Sequence, residues 1–265
     1  MSPTRAAANP WIDIPSPRPA APLRLLCLPP AGGGVMPFAR WSEPLADLAE
    51  VWLIRPPGRE SRISDPAHHA VGALIPELVD ALAPEWANGP PIALFGHSMG
   101  ALIAFELARR VRALGWPEPV LAVASARPAP QLVPPAGHRP LHLLSEDELV
   151  AHLERRGGTD PRLLADRETL RVFLPTLSAD MELVESYSYL DGPPLDLPVA
   201  GYAGCDDPDV PTDSVRAWAV QTSRDFSFRV FEGGHFYLYE RSDEVGAALR
   251  EDLTAALRSR GVSVT

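Results

Sequence analysis

Residues 91–115 read PIALFGHSMGALIAFELARRVRALG. Ile92-Ala93-Leu94-Phe95 is a short unbroken apolar run, the pattern of a strand buried on both faces of a parallel sheet. Ile103, Leu107, Val111 and Leu114 then recur at helical spacing, and Gly115 is a stop signal. Between strand and helix stands Gly96-His97-Ser98-Met99-Gly100, a G-x-S-x-G sequence. In a strand-turn-helix setting this motif predicts a nucleophile elbow. So sharp a turn strains the backbone at the serine, and flanking glycines let the chains pass closely. The turn lifts Ser98 Oγ above the sheet edge. It also leaves the Met99 N–H at a helix start, where it faces a developing oxyanion. Without the strand and helix, the same five residues would be an ordinary turn around a serine.

Working outward, residues 23–28 (Leu-Arg-Leu-Leu-Cys-Leu) read as the first buried strand, running into Pro29-Pro30-Ala31-Gly32-Gly33-Gly34. Such a loop could cradle a phosphate, but no Lys-Ser/Thr follows to make the Walker pattern; in a serine hydrolase a loop here supplies a second oxyanion donor, with a plain glycine loop as the alternative. Phe38, Trp41, Leu45 and Leu48 follow at helical spacing. Residues 51–54 form a strand, 55–62 a turn-rich connection, and 67–83 a helix interrupted by Pro76. Beyond the elbow, residues 120–124 are a strand. Residues 129–190 then break the strand-helix rhythm with a Pro-rich segment and helical patterns at 145–156, 161–173 and 175–189. Ser145-Glu146-Asp147-Glu148 has the form of a capping box, and Asp160-Pro161 places Asp at an N-cap and Pro at the first helical position. An all-helical insertion between strands predicts a lid, with a separate small helical domain as the alternative. Strands at 197–203 and 226–231 and helices at 215–220 and 243–258 complete the chain.

The expected fold is therefore α/β, a mostly parallel central sheet flanked by helices. Residues 23–128 and 191–265 make the core and 129–190 the lid, while the Pro- and Ala-rich residues 1–22 are expected to be a flexible arm.

A serine hydroxyl needs a base to take its proton, and the base needs an acid to fix its tautomer. His235 follows the last strand and two glycines, where such a base belongs. His68, His69, His138, His142 and His152 fall in segments read as surface or lid, and His97 lies inside the elbow, facing the wrong way. The acid is expected in the turn after the preceding strand, which offers Asp206, Asp207 and Asp209. The other place for an acid, after the earlier strand, reads Ser125-Ala126-Arg127-Pro128 and holds no carboxylate. Serine, acid, histidine is the chain order of α/β-hydrolases. Metal-ligand spacings are lacking, and neither a metal nor a cofactor is expected.

Composition narrows the partners. The chain has 265 residues, a formal charge of −10 and no lysine, which argues against nucleic acid. No apolar run approaches the ~20 residues that span a bilayer. The N-terminus has no apolar core of a secretory signal, and two cysteines make no disulfide framework. Together these point to the cytoplasm.

Five segments in order carry a resemblance: Leu28-Pro29-Pro30-Ala31-Gly32-Gly33, Arg55-Pro56-Pro57-Gly58-Arg59-Glu60-Ser61-Arg62, Gly96-His97-Ser98-Met99-Gly100-Ala101, Gly204-Cys205-Asp206-Asp207 and Gly233-Gly234-His235-Phe236. With them the chain resembles the type II thioesterases, stand-alone editing enzymes of polyketide and nonribosomal peptide assembly lines, over roughly residues 23–257. The second segment separates this family from general esterases. Gly34, a third glycine, and the long N-terminal arm depart from the family pattern. The resemblance implies an α/β-hydrolase fold with a helical lid. It implies Ser98 as nucleophile, Asp207 as acid, His235 as base, and the N–H groups of Met99 and Ala31 as oxyanion donors. The implied substrates are acyl thioesters on the phosphopantetheine arm of acyl or peptidyl carrier proteins. Such carriers are acidic, as is this chain, so the expected docking surface is a local basic patch including Arg59, Arg62 or Arg139, or else an apolar contact. A general carboxylesterase of small esters is the alternative function. A non-catalytic, ligand-binding relative is a further one, disfavoured because such relatives usually lose a triad member.

Overall fold

The computed structural model describes residues 9–87, 89–132 and 139–261. Seven strands form one sheet: β1 (Ile12–Asp13), β2 (Arg24–Leu28), β3 (Glu50–Ile54), β4 (Ile92–His97), β5 (Leu121–Ser125), β6 (Val199–Gly204) and β7 (Phe226–Phe231). Their spatial order is β1-β3-β2-β4-β5-β6-β7, parallel throughout except for β1 against β3. The period of two along each strand divides the apolar residues between two cores. Leu26, Leu28, Leu94 and Ala122 face one core with the helices α1 (Val71–Trp86) and α2 (Met99–Ala113). Leu25, Cys27, Phe95 and Val123 face the other. There the last helix of the chain supplies Val245, Leu249, Leu253 and Leu257, and a 3-10 turn over Met36–Trp41 supplies Phe38 and Trp41. Burying one such Leu or Phe is worth about 1.5–3 kcal/mol, so a strand covered on both faces needs no polar alternation.

Between β5 and β6 lie α3 (Glu146–Arg156), α4 (Pro161–Ala165) and α5 (Arg167–Glu185). After β6 come α6 (Thr212–Arg216), α7 (Tyr237–Glu240) and α8 (Ser242–Ser259). The capping box at Ser145 forms with Glu148, and Asp160 caps α4 by accepting from the Arg162 N–H. Two expected boundaries move. The pattern at 161–173 breaks at Asp166, whose side chain caps α5, rather than after residue 173. From there α5 runs unbroken through Pro175. Its interior proline removes one backbone hydrogen bond, but burial of Leu170, Leu177, Met181 and Leu183 outweighs the loss.

The expectation of a flexible arm over residues 1–22 is corrected for the described part, residues 9–22. Trp11 is buried, Ile12 and Asp13 pair with Ile54 and Leu53, and the Arg55 N–H donates to Trp11 O at 2.8 Å. A two-residue strand has no periodicity to detect; β3 supplies the edge that orders it. Residues 1–8 and 133–138, and with them His138, lie outside the described residues. Among the described residues no helix is long and apolar enough to cross a membrane.

Candidate active site

The β4–α2 turn holds Ser98 at φ 54°, ψ −113°, a conformation costing a non-glycine residue about 1–3 kcal/mol. The Ser98 N–H donates to Ser125 O at 2.8 Å and fixes the turn against β5. The flanking glycines are steric necessities. A Cβ at Gly96 would stand 2.2 Å from Gly100 O, and one at Gly100 would stand 2.1 Å from Leu28 O. The second approach brings the end of β2, and hence the loop from Pro29 to Gly34, against the start of α2. Met99 opens that helix, so its N–H has no intrahelical acceptor.

Of the three aspartates after β6, the structure brings Asp207 to His235. The imidazole Nδ1–H donates to Asp207 Oδ2 at 2.7 Å, with both side chains buried. Asp207 Oδ1 accepts from the N–H groups of Asp209 and Val210 at 3.0 and 3.1 Å. Burial acts to raise the Asp207 pKa, but these hydrogen bonds and the His235 partner outweigh it and hold the carboxyl below its ordinary value. Asp206 is exposed. Asp209 reaches Arg156 instead, with Oδ2 at 3.3 Å from Nε.

The other side of the His235 ring carries a group that sequence reasoning did not reach. Arg156, in the last turn of α3, donates from Nη2 to His235 Nε2 at 2.8 Å. A guanidinium has no lone pair to offer, so Nε2 is the acceptor and Nδ1 holds the proton. Among the described residues no hydrogen bond joins Ser98 Oγ to His235. Burial first, then the charge of Arg156, lower the His235 pKa against the opposing pull of Asp207. Arg127, following β5, is drawn down to about 10 by burial and by the same Arg156 charge. The contact spans 79 residues; its one sequence signal is the Gly157-Gly158 pair after Arg156. A Cβ at Gly158 would stand 2.2 Å from Phe236 Cδ2, so the end of α3 lies directly on the residue after His235.

His97 is fully buried, with Nδ1 at 2.8 Å from Ser125 Oγ, which in turn lies 2.6 Å from the Tyr237 hydroxyl. Burial, with His235 and Arg156 nearby, holds its pKa well below the ordinary imidazole value. It is a neutral packing group.

The expected docking arginines do not make one patch. Arg59 is buried at 4% exposure and pairs with Asp180 on α5, which removes it from any surface role. Arg62 lies over the Trp11 ring and pairs with Asp65. Arg139 alone of the three is well exposed, and it is paired with Glu148. A cleft of about 600 Å³ opens between α1, α2 and the residues after α5, lined by Val71, Ile75, Glu106, Arg109, Tyr187 and Leu190, and it includes none of Ser98, Asp207 or His235.

A parallel sheet with its serine on the β4–α2 turn, and a carboxylate and an imidazole on the turns after β6 and β7, is the architecture of the α/β-hydrolases. A family model of the thioesterase domain matches residues 23–253, and the chain belongs to that family, hydrolases of thioester bonds. Thioesterase PikA5 of Streptomyces venezuelae is 38% identical over 235 residues, covering 89% of this chain and 82% of that one. The gramicidin S biosynthesis protein GrsT of Aneurinibacillus migulanus is 37% identical, with 89% and 91% covered. Among solved structures, the type II thioesterase BorB from the borrelidin biosynthetic cluster superimposes with a TM-score of 0.82 at 38% identity, covering 92% of this chain and 97% of that one.

Proposed function

We propose that this thioesterase removes acyl groups from the phosphopantetheine arm of acyl or peptidyl carrier proteins in polyketide or nonribosomal peptide biosynthesis, acting in the cytoplasm. The observation that carries the reading is the buried His235–Asp207 pair at 2.7 Å beside the strained Ser98 turn, in a chain of this family. The likeness to GrsT, a gramicidin S biosynthesis protein, and to BorB, a type II thioesterase from the borrelidin biosynthetic cluster, supports the biosynthetic setting.

Ser98 is the nucleophile, His235 the base and Asp207 the acid that keeps Nδ1 protonated. His235 Nε2 takes the Ser98 proton as Oγ bonds to the thioester carbonyl carbon. The resulting oxyanion accepts from the N–H groups of Met99 and Ala31. The carbon–sulfur bond breaks, and the departing sulfur takes the proton from Nε2. Water repeats the sequence on the acyl-serine, releasing the carboxylic acid and free Ser98. Because Nε2 now accepts from Arg156, this side chain has to leave before the Ser98 proton can be taken. The α3–α5 insertion acts as the lid, and Arg156 is the part of it that the chemistry must displace.

The test is intact-mass analysis of an acyl-loaded carrier protein incubated with the wild-type protein and with Ser98→Ala. Loss of the acyl mass and return of the free phosphopantetheinyl carrier, with wild type only, is the expected result. An unchanged acyl carrier alongside hydrolysis of simple oxygen esters would instead identify a general esterase.

A further inference from the structure

The loop Ala31-Gly32-Gly33-Gly34 has a conformational problem. Three successive glycines have the greatest backbone freedom of any tripeptide, and Gly32 sits at φ +64°. Local sequence does not hold such a loop in one shape; the structure holds it from outside. The Gly32 N–H donates to Asp180 Oδ2 at 2.7 Å. Arg59 donates from Nη1 to Gly33 O at 3.1 Å, and from Nη2 to both oxygens of Asp180 at 2.9 Å. The Val35 N–H donates to Glu60 Oε1 at 2.9 Å, and within the loop the Gly33 N–H donates to Pro30 O at 3.0 Å. Leu177 of α5 packs where a Gly32 side chain would begin. Among the described residues the Ala31 N–H is left without an acceptor.

We infer that Arg59 and Asp180 are positioning residues: their buried ion pair ties the glycine loop to α5 so that the Ala31 N–H stays free for the substrate oxyanion. Neither side chain meets the substrate. The inference rests on the reading of Ala31 as an oxyanion donor. It gives the Pro57-Gly58-Arg59-Glu60 segment a task beside this site, since one residue of it grips Gly33 O and the next grips the Val35 N–H. The Thr176 hydroxyl, which donates to Gly58 O at 2.5 Å, binds the same segment to α5. Helix, turn and loop thus form one closed clamp.

The test compares wild type with Asp180→Asn, Arg59→Lys and the double variant R59M/D180L. Replacing a buried ion pair by apolar residues of similar size commonly preserves the fold, so the double variant separates positioning from stability. Substrates are butanoyl and octanoyl N-acetylcysteamine thioesters. An alkyl trifluoromethyl ketone, whose adduct with Ser98 carries an oxyanion, reports on the donor geometry. The expected result is a kcat lower by about 10–100-fold in the double variant and in Asp180→Asn, since loss of one oxyanion donor costs about 100–1,000-fold. KM stays within about twofold, ketone affinity falls by the same factor as kcat, and the acid limb of the pH profile does not move, because His235 and Asp207 are untouched. Arg59→Lys, which keeps a cation but not the two-pronged grip, recovers part of the loss. A folded double variant with wild-type kcat and ketone affinity would overturn the positioning role. Wild-type protein that neither turns over the thioesters nor binds the ketone would overturn the Ser98–Ala31 reading itself, and the clamp with it.

Discussion

The helical insertion reaches the site through two arginine contacts of opposite character. At α5 the Arg59–Asp180 pair is almost completely buried, with one guanidinium nitrogen on both carboxylate oxygens, and linked to loop backbone on both sides. At α3 the Arg156 side chain is 18% exposed, its carboxylate partner Asp209 is 44% exposed, and the group it holds is the imidazole that would accept the Ser98 proton. A buried pair resists separation because each partner would be left as an uncompensated charge, whereas Arg156, itself largely buried, pairs with an Asp209 carboxylate that water already reaches and that loses less when the contact opens. The insertion therefore has a fixed end and a releasable end. The fixed end holds the Ala31–Gly34 loop, the proposed oxyanion donor, and the releasable end covers His235, the proposed base.

The largest effect comes from testing what holds His235 in place. Asp207→Asn leaves Arg156 on one side of the ring and removes the anchor on the other; kcat is expected to fall by about 10⁴-fold. A drop of tenfold or less would mean that Arg156, not Asp207, orients the imidazole. Next is the fixed end itself. Asp180→Ala strands the Arg59 charge, and denaturant unfolding should show a loss of about 3–5 kcal/mol; a loss under 1 kcal/mol would erase the contrast between the two ends.

Gly158→Ala sets a Cβ against Phe236 at a residue with φ +79°. It should lower stability by about 1–3 kcal/mol and, by pushing the end of α3 off His235, speed fluorophosphonate labelling of Ser98. Arg156→Gln should speed that labelling severalfold with little change in melting temperature. Its pH signature has a definite sign. Burial and the Arg156 charge depress the His235 pKa, so the neutral base persists below the ordinary value near 6.5. Removing the charge raises that pKa, and the acid limb of kcat/KM moves to higher pH. Slower labelling with an unmoved limb would make Arg156 a substrate contact instead of a cover. The smallest effect belongs to Arg139→Ala: its pair with Glu148 is exposed and screened by water, so the melting temperature should stay unchanged.

What sequence reading reached and what it missed divide along the range of the interactions. The β4–Ser98–α2 unit is legible because its apolar run, its glycines and its helical spacing are all local. Asp207 and His235 are legible because chain order places them on successive turns at one sheet edge. The capping box at Ser145 is likewise a four-residue signal. Arg59 is visible in its motif, but its burial is not, because its partner lies 121 residues away and arginines are mostly exposed. Arg156 was hidden for the same reason. The continuity of α5 through Pro175 depends on tertiary burial overriding a helix breaker, and β1 depends on an edge that only the folded sheet provides.

That edge has a practical consequence. The family match begins at residue 23, and a protein trimmed to that boundary would lose Trp11, Ile12 and Asp13 while keeping every group near Ser98. Strand β3 would then present unpaired N–H and C=O groups along its outer side, a template for the same strand of a second molecule. Such a chain would retain its chemistry at high dilution and fail by self-association as concentration rises.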